Sequence, residues 1–215
     1  MKPRDSKQGT AALTLVEVLV VIAVVILLVV VFSPGIIDTS AKAQRIKCVT
    51  NLKQICLTYT FWADNNGGKY PSQVSLTNGG VMELIATGNV VACFQAMSNQ
   101  LPTPKVLFCP EDTKHMAATD FANGLAGSNI SYFVGLDAAP YQPQAILSGD
   151  DNLMVNGTNV QSGILNLHTN DSLAWTKERH QGDGNVLLAN GSVQQVTGAG
   201  LTETAGLATN RLAIP

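Results

Sequence analysis

The chain has 215 residues, of which 46% are hydrophobic and 13% charged, and its formal net charge is −2 at pH 7. That length suits one membrane helix and one modest domain, and the charge balance lacks the excess of Lys and Arg typical of nucleic-acid-binding proteins. We therefore expect no nucleic-acid partner. The apolar residues are concentrated in one run, residues 13–32, in which Glu17 is the only charged residue.

This apolar run is long enough to cross a membrane. A helix of about twenty residues spans about 30 Å, the thickness of the hydrocarbon layer of a bilayer. Glu17 is unusual there, because a carboxylate in a membrane span costs about 2.5–3.5 kcal/mol and is usually paired and functional. Pro34 follows the run and can bend a helix without ending it. We predict a transmembrane helix over residues 13–34 with a kink at Pro34.

A short basic leader precedes the run. Lys2, Arg4 and Lys7 are followed by Ala12 and then by Leu-Thr-Leu-Val-Glu at positions 13–17. This pattern resembles the class III signal of type IV pilins and type II secretion pseudopilins. The resemblance implies that prepilin peptidase removes residues 1–12 and methylates the new N-terminus. The family prefers Gly at the position of Ala12, and Phe or Met immediately after the cut.

The same resemblance assigns roles to Leu13 and Glu17. After the cut, Leu13 carries a free α-amine, which is positive below a pKa of about 8. In a filament this amine would neutralise Glu17 of a neighbouring subunit at low dielectric, which would direct assembly. The implied partners are identical or related pilin subunits, the prepilin peptidase, the inner-membrane assembly platform and the lipid of the inner membrane. The implied location is a single-pass inner-membrane protein with a cytoplasmic N-terminus and a periplasmic domain, which assembles into a periplasmic or surface filament.

Helical periodicity continues beyond Pro34 and ends at Asn-Asn-Gly-Gly, residues 65–68. The apolar positions with this period are Ile37, Ala41, Cys48, Leu52, Ile55, Cys56, Tyr59 and Ala63, whereas Lys42, Arg45, Lys47 and Lys53 are directed outward. We therefore predict an amphipathic second half of one long helix over residues 35–66 and a globular domain over residues 67–215. Residues 45–54, residues 59–66 and Tyr70-Pro71 resemble pseudopilin-type proteins of environmental bacteria.

The globular part predicts an α+β domain. We expect a short helix at 81–87, an apolar segment at 90–97, strands at 105–109, 129–136 and 144–148, loops at 152–163 and a weak helix at 201–212. Asn190-Gly191 joins two β-prone runs at 184–196 and favours a two-residue type I′ hairpin. With His180 before it, this hairpin resembles the C-terminal motif of pseudopilin-like proteins. The long helix is expected to pack on an antiparallel sheet, which is the pilin-like fold.

Four cysteines, Cys48, Cys56, Cys93 and Cys109, allow three disulfide pairings. An oxidising compartment favours at least one disulfide. Buried free thiols and a metal site are the alternatives, although no C-x-x-C pair occurs. Cys109 is the best candidate to join the helix or Cys93.

Asp150, Asp151, Asn152 and Asp183 carry oxygen atoms of the kind that calcium prefers. Some secretion pseudopilins bind calcium in a late loop, so the resemblance makes these residues candidate ligands. The EF-hand pattern is missing, and turn-forming Asp and Asn explain the residues equally well. We expect no other cofactor.

Motifs of nucleophilic and zinc hydrolases, such as G-x-S-x-G and H-E-x-x-H, are absent from the sequence. We therefore expect a structural subunit of a type II secretion pseudopilus or type IV pilus-like filament, and not an enzyme. The alternative is a binding or enzymatic domain that uses the helix only as an anchor, which predicts a deep pocket with convergent polar groups. The subunit could belong to a secretion, pilus or uptake system, and it could be a major or a minor subunit.

Overall fold

The computed structural model describes the backbone of residues 14–32, 34–122, 124–208 and 211–215, and their side chains outside 34–41 and 206–208. The chain divides after Ser40 into an N-terminal unit and a globular unit, Ala41–Pro215. The leader, Ala12 and Leu13 lie outside the described residues, so the cleavage and methylation remain predictions.

Helix α1 (Leu15–Phe32) belongs to the N-terminal unit. Its mean hydropathy is 3.5 over 18 residues and none of them is buried against the rest of the chain. By length and composition α1 is able to cross a membrane, as the sequence predicts. Thr14 and Glu17 form a capping box at its start, in which each side chain accepts a hydrogen bond from the backbone N–H of the other residue.

Helix α2 (Pro34–Asn65) extends into the globular unit. It ends at the predicted place, because Gly67 and Gly68 adopt left-handed φ angles of 65° and 70° that a helix does not continue through. The predicted buried face is confirmed for Cys48, Leu52, Ile55, Tyr59 and Ala63. The continuity of one long helix and its kink at Pro34 stay predictions, since Ser33 lies outside the described residues.

Two short helices, α3 (Met82–Ile85) and α4 (Val90–Ala96), follow α2. The side chain of Asn89 caps α4 by accepting a hydrogen bond from the backbone N–H of Ala92. The strand predicted at 105–109 is wrong, because Pro104–Leu107 form a 3₁₀ turn. Thr103 caps this turn and Pro104 fixes φ at its first position, which starts a helical turn despite the β-prone residues.

The described residues form a six-stranded and a three-stranded antiparallel sheet. In chain order the strands are β1 (Tyr132–Gly135), β2 (Ile146–Asp150), β3 (Leu153–Val155), β4 (Thr158–Asn159), β5 (Gly163–Asn166), β6 (Leu173–Trp175), β7 (Gly184–Leu188), β8 (Val193–Val196) and β9 (Arg211–Ile214). The order is β5-β9-β1-β2-β7-β8 in the large sheet and β4-β3-β6 in the small one. The α+β class with antiparallel sheets is confirmed.

The two faces of the large sheet bury different apolar clusters. On β1, Tyr132 and Val134 join the cluster that contains the buried face of α2, whereas Phe133 joins the cluster that contains helix α5 (Gly198–Ala208) and the small sheet. This alternation follows from the two-residue period of a strand. The globular unit thus has three layers, with the large sheet in the middle.

The turn chemistry differs from the sequence-based expectation. The expected loop at 152–163 contains β3 and β4, and their turn, Asn156-Gly157, has φ angles of 51° and 79°. Positive φ at both positions is the requirement of a type I′ turn. The predicted hairpin β7–β8 is present, but its turn is not type I′, because the left-handed φ is at Gly191 and not at Asn190. The Gly191 N–H donates to Leu188 O at 2.9 Å, which makes a three-residue loop closed by a left-handed Gly.

The C-terminal segment combines a helix with a strand. The helix predicted at 201–212 is confirmed for its first part, α5, but residues 211–214 form β9. Strand β9 pairs with both β1 and β5 inside the large sheet. The local sequence pattern does not indicate β9, because its backbone hydrogen bonds are made with partners distant in sequence.

Candidate functional site

A cluster of buried and partly buried ionisable groups lies where β2 ends, and we call it the Arg179 network. Three chain segments supply it: the loop after Cys109, the end of β2 with the residue that follows it, and the segment before β7. Its members are Glu111, Asp112, His115, Asp150, Asp151, Arg179 and His180.

Arg179 occupies the centre and is only 3% exposed. Its Nη2 lies 3.0 Å from Asp112 Oδ2 and forms a still closer pair with Asp151, and its Nη1 donates to Ser131 O at 3.2 Å. Burial opposes its positive charge, but the charges of the nearby carboxylates outweigh that effect and raise the pKa of Arg179. The charged guanidinium therefore links the loop after Cys109 to the residue that follows β2.

Asp112 organises the loop after Cys109. Its Oδ1 accepts from the backbone N–H of Lys114 at 2.8 Å, and its Oδ2 lies 2.6 Å from His115 Nδ1. Burial by itself raises the pKa of Asp112, but the hydrogen bond from His115 and the charge of Arg179 outweigh it and hold the pKa well below its usual range. The same hydrogen bond raises the pKa of His115. The pair therefore favours the ionised forms of both groups.

His180 connects the network to the cysteines. Its backbone N–H donates to Glu111 Oε2 at 2.7 Å, and its Nδ1 lies 2.9 Å from the same oxygen. On the other side of the ring, Nε2 is 3.4 Å from Asp150 Oδ2 and 3.5 Å from Cys109 Sγ. The imidazole is thus held between two carboxylates, beside a sulfur atom.

The backbone at His180 is strained. His180 and Gln181 have left-handed φ angles of 50° and 61°. Such conformations cost of order 1–3 kcal/mol each in non-glycine residues and persist only where the surroundings hold them. The contacts of Glu111 and Asp150 with His180 supply that restraint.

A disulfide joins Cys48 of α2 to Cys109, with their Cα atoms 5.2 Å apart. Of the two partners predicted for Cys109, the structure therefore has the helix residue. Cys56 and Cys93 are free thiols. Burial raises the pKa of Cys93 to about 12, and its Sγ lies 3.3 Å from Tyr59 Oη.

The four candidate calcium ligands face different partners. Asp150 Oδ2 accepts from Asn185 N and Nδ2, both at 2.8 Å, whereas Asp151 faces Arg179. The Asn152 amide donates to Thr176 O at 3.2 Å, and Asp183 Oδ2 lies 3.4 Å from Arg45. These contacts do not converge on one cation position, and calcium binding stays a prediction.

Two other groupings bring together atoms that metals bind. Cys48, Cys109 and His180 form one, and Asp112, His115 and Asp151 form the second. In the second, the guanidinium of Arg179 already lies against both carboxylates and supplies the positive charge.

A cleft of about 190 Å³ opens beside the network. It is lined by, among others, Lys114, His115, Asp151, Asn152, Thr176 and Arg179. The cleft brings the His115 side of the network close to solvent, whereas the His180 side is buried.

Sequence reasoning missed most of this network. The signal that could have found it is a pair of short polar motifs, Glu111-Asp112 after Cys109-Pro110 and Arg179-His180 before the β7–β8 hairpin. The fold brings the two motifs into contact through Asp112–Arg179 and Glu111–His180.

Comparisons of the chain with protein-family models, with curated proteins and with solved structures return no match.

Proposed function

We propose that the chain is a structural subunit of a pilin-like filament, of the type II secretion pseudopilus or type IV pilus class, assembled through α1. The observation that carries the proposal is the exposure of α1: none of its 18 residues, with Glu17 as the only charge, is buried. Such a helix requires lipid or other apolar helices around it. In a pilin-like system, α1 lies in lipid before assembly and among the apolar helices of other subunits in the filament core.

The finer features of the proposal follow from the leader and the cysteines. Prepilin peptidase cuts between Ala12 and Leu13 on the cytoplasmic side of the inner membrane and methylates Leu13. The globular unit then lies in the periplasm. That compartment is oxidising and favours the Cys48–Cys109 disulfide.

The outward face of α2 supports packing between subunits. Ile46, Leu57 and Phe61 are 64%, 57% and 56% exposed, and their spacing places them on one side of the helix. This side is distinct from the buried face that contains Cys48 and Leu52. In a filament, neighbouring subunits would cover these side chains.

Glu17 has two separable roles in the proposal. Locally, its Oε2 accepts hydrogen bonds from Thr14 N and Oγ1, both at 2.8 Å, which caps α1. In assembly, its charge pairs with the Leu13 amine of a neighbour. Gln at position 17 retains the capping geometry and removes the charge, so it distinguishes the two roles.

The test compares Glu17→Gln, Glu17→Ala and Thr14→Ala in a host that carries the assembly machinery. We expect Glu17→Gln and Glu17→Ala to abolish filaments in electron micrographs of sheared fractions while the protein remains in the membrane. Thr14→Ala retains the charge and should assemble. Filaments formed by Glu17→Gln would show that the charge is not required and would contradict the pairing.

Processing is tested on the unchanged chain. Intact mass and N-terminal sequencing of the membrane protein should give a chain that begins at Leu13 with one added methyl group. A chain that begins at Met1 would contradict the proposal and leave an anchored domain with another function.

That alternative, an anchored binding or enzymatic domain, requires a pocket with convergent polar groups. The cleft beside the Arg179 network has such groups, but its volume of about 190 Å³ lies below the range of about 300–1,000 Å³ of most ligand sites. Two other clefts, of about 320 and 300 Å³, reach that range. We favour the filament subunit because of the exposed apolar helix α1.

A further inference from the structure

Three side chains with the chemistry of zinc ligands meet at the buried disulfide, and the buried carboxylate of Asp150 lies beside one of them, His180. The sulfur atoms of Cys48 and Cys109 and a ring nitrogen of His180 lie within 4.8 Å of one another. Asp150 Oδ2 lies 3.4 Å from His180 Nε2. All four residues are at most 2% exposed.

We propose that the chain binds one Zn²⁺ ion when Cys48 and Cys109 are reduced, through both sulfur atoms, His180 Nε2 and the Asp150 carboxylate. Thiolate, imidazole and carboxylate are the groups that bind zinc, and four of them complete a tetrahedral site. The reduced state is the one in which the chain is synthesised, before the disulfide forms. The site would therefore hold the two cysteines together until they are oxidised.

Asp150 gives independent support for a cation at this place. Its side chain is fully buried, and its Oδ1 has no hydrogen-bond partner. An unsatisfied buried carboxylate oxygen costs free energy. The other oxygen, Oδ2, accepts two hydrogen bonds from Asn185 and lies 3.4 Å from His180 Nε2. A cation bound at that nitrogen would therefore add to the compensation of the negative charge.

Glu111 is placed to supply the outer contact that zinc-binding histidines usually have. Its Oε2 accepts from the His180 backbone N–H and lies 2.9 Å from His180 Nδ1. Nδ1 makes no hydrogen bond in the oxidised structure. Metal binding at Nε2 would therefore turn the ring until an Nδ1 proton points at this carboxylate.

The cysteine backbones are already placed for such a site. A tetrahedral zinc ion needs S–Zn bonds of about 2.3 Å, which puts the sulfurs roughly 3.8 Å apart. The Cα atoms of Cys48 and Cys109 are 5.2 Å apart, and rotation of the side chains is enough to separate the sulfurs. Cys48 is fixed by α2, and the Cys109 N–H donates to Ser131 Oγ at 3.0 Å.

Reduction of the disulfide precedes zinc binding. A phosphine reductant transfers two electrons to the disulfide and becomes a phosphine oxide with the oxygen of water, which leaves two thiols. Each thiol then releases its proton to solvent as its S–Zn bond forms, and His180 binds as the neutral imidazole. Binding should therefore weaken as the pH falls.

The experiment uses the full chain in detergent, reduced with a phosphine and freed of reductant under argon. It is titrated with Co²⁺, whose visible and near-ultraviolet absorption identifies tetrahedral thiolate sites, and with Zn²⁺ against a chromophoric chelator. We expect one ion per chain in the reduced protein, and no thiolate–Co²⁺ absorption in the oxidised protein. A reduced chain that does not bind Zn²⁺ in competition with the chelator would overturn the proposal.

Variants identify the ligands. Cys48→Ser and Cys109→Ser should each weaken zinc binding at least about 100-fold, and Glu111→Gln about 10- to 100-fold. Cys56→Ser and Cys93→Ser are the matched controls and should bind as the unchanged chain does. Binding that depends on Cys56 or Cys93, or that survives Cys48→Ser, would refute the assignment.

A second measurement does not depend on the folding of any variant. The unchanged reduced chain is alkylated with and without Zn²⁺, and the modified cysteines are identified by mass spectrometry. Zinc should slow the modification of Cys48 and Cys109 at least tenfold and leave that of Cys56 unchanged. Equal protection of all cysteines, or of none, would contradict the site. This result is independent of filament assembly, which the Glu17 variants test.

Discussion

Arg179 neutralises two buried carboxylates that belong to different segments of the chain. The side chains of Asp112 and Asp151 are 0% and 8% exposed, and both lie against its Nη2. A buried charge without a partner is far more costly than an exposed one, because the interior does not solvate it. We therefore regard Arg179 as the residue that makes the polar interior compatible with folding.

Arg179→Met should reduce the free energy of unfolding by about 3–5 kcal/mol, since both carboxylates would lose their partner. The measurement is urea unfolding followed by the fluorescence of the buried residues Trp62 and Trp175. Arg211→Met is the control, because the Arg211 side chain is 53% exposed and its pair with Asp137 should contribute about 0–1 kcal/mol. Equal losses in the two variants would contradict the role of Arg179.

His115 should make the stability pH-dependent. Its pKa is raised in the folded chain, chiefly by the hydrogen bond to Asp112, so its contribution is complete below the unfolded pKa of about 6.5 and is lost as the pH rises through the folded pKa. We expect the unfolding free energy to decrease on the alkaline side. His115→Gln should remove this slope.

His168→Gln should retain the alkaline slope, because the His168 side chain is 76% exposed. An unchanged slope in His115→Gln would show that another group titrates.

Asp112 acts in the opposite direction. Its pKa is lowered in the folded chain, so its contribution to stability is present above about pH 4 and is lost as the pH falls.

Helix α2 is the element to which the rest of the globular unit is attached. It provides the buried apolar face, the Cys48 end of the disulfide, and Asn51, whose Nδ2 donates to Phe108 O at 2.8 Å. Both Cys48 and Asn51 thus hold the segment that contains Cys109 and leads into the Arg179 network. The helix therefore determines the position of that loop.

Replacement of Cys48 and Cys109 by Ala should reduce the free energy of unfolding by roughly 4 kcal/mol, because the disulfide spans a sequence separation of 61 residues. Cys56→Ala is the control, with a change below about 1.5 kcal/mol, since its side chain is only partly buried. The comparison is made by urea unfolding. A double variant as stable as the unchanged chain would show that α2 holds the loop without the disulfide.

At the scale of the whole molecule, the described members of both clusters of buried apolar side chains lie between Cys48 and Ile214. The apolar helix α1 contributes no buried residue to them. Folding of the globular unit should therefore be independent of α1.

Residues 41–215 expressed alone should form a soluble domain that unfolds cooperatively. Its thermal midpoint should lie within about 4 °C of that of the full chain in detergent, which corresponds to a difference of at most about 1 kcal/mol. Circular dichroism in the near-ultraviolet range measures both. A fragment without a cooperative transition would show that the N-terminal unit is needed for folding.

The sequence by itself determined the features that depend on neighbouring residues. The apolar composition of α1, the buried face of α2, its end before Gly67 and the position of the β7–β8 hairpin are all encoded in local periodicity and turn chemistry. These features were predictable because residues a few positions apart share one face of a helix or strand.

Only the tertiary structure decided the rest. The place of β9 between β5 and β1, the pairing of Cys48 with Cys109 and the contact of Asp112 with Arg179 all join residues far apart in sequence. Local patterns do not specify such partners, because many pairings satisfy the same hydrophobic and polar preferences. The burial of Arg179 and His180 follows from the packed core that surrounds them, which residues distant in sequence supply.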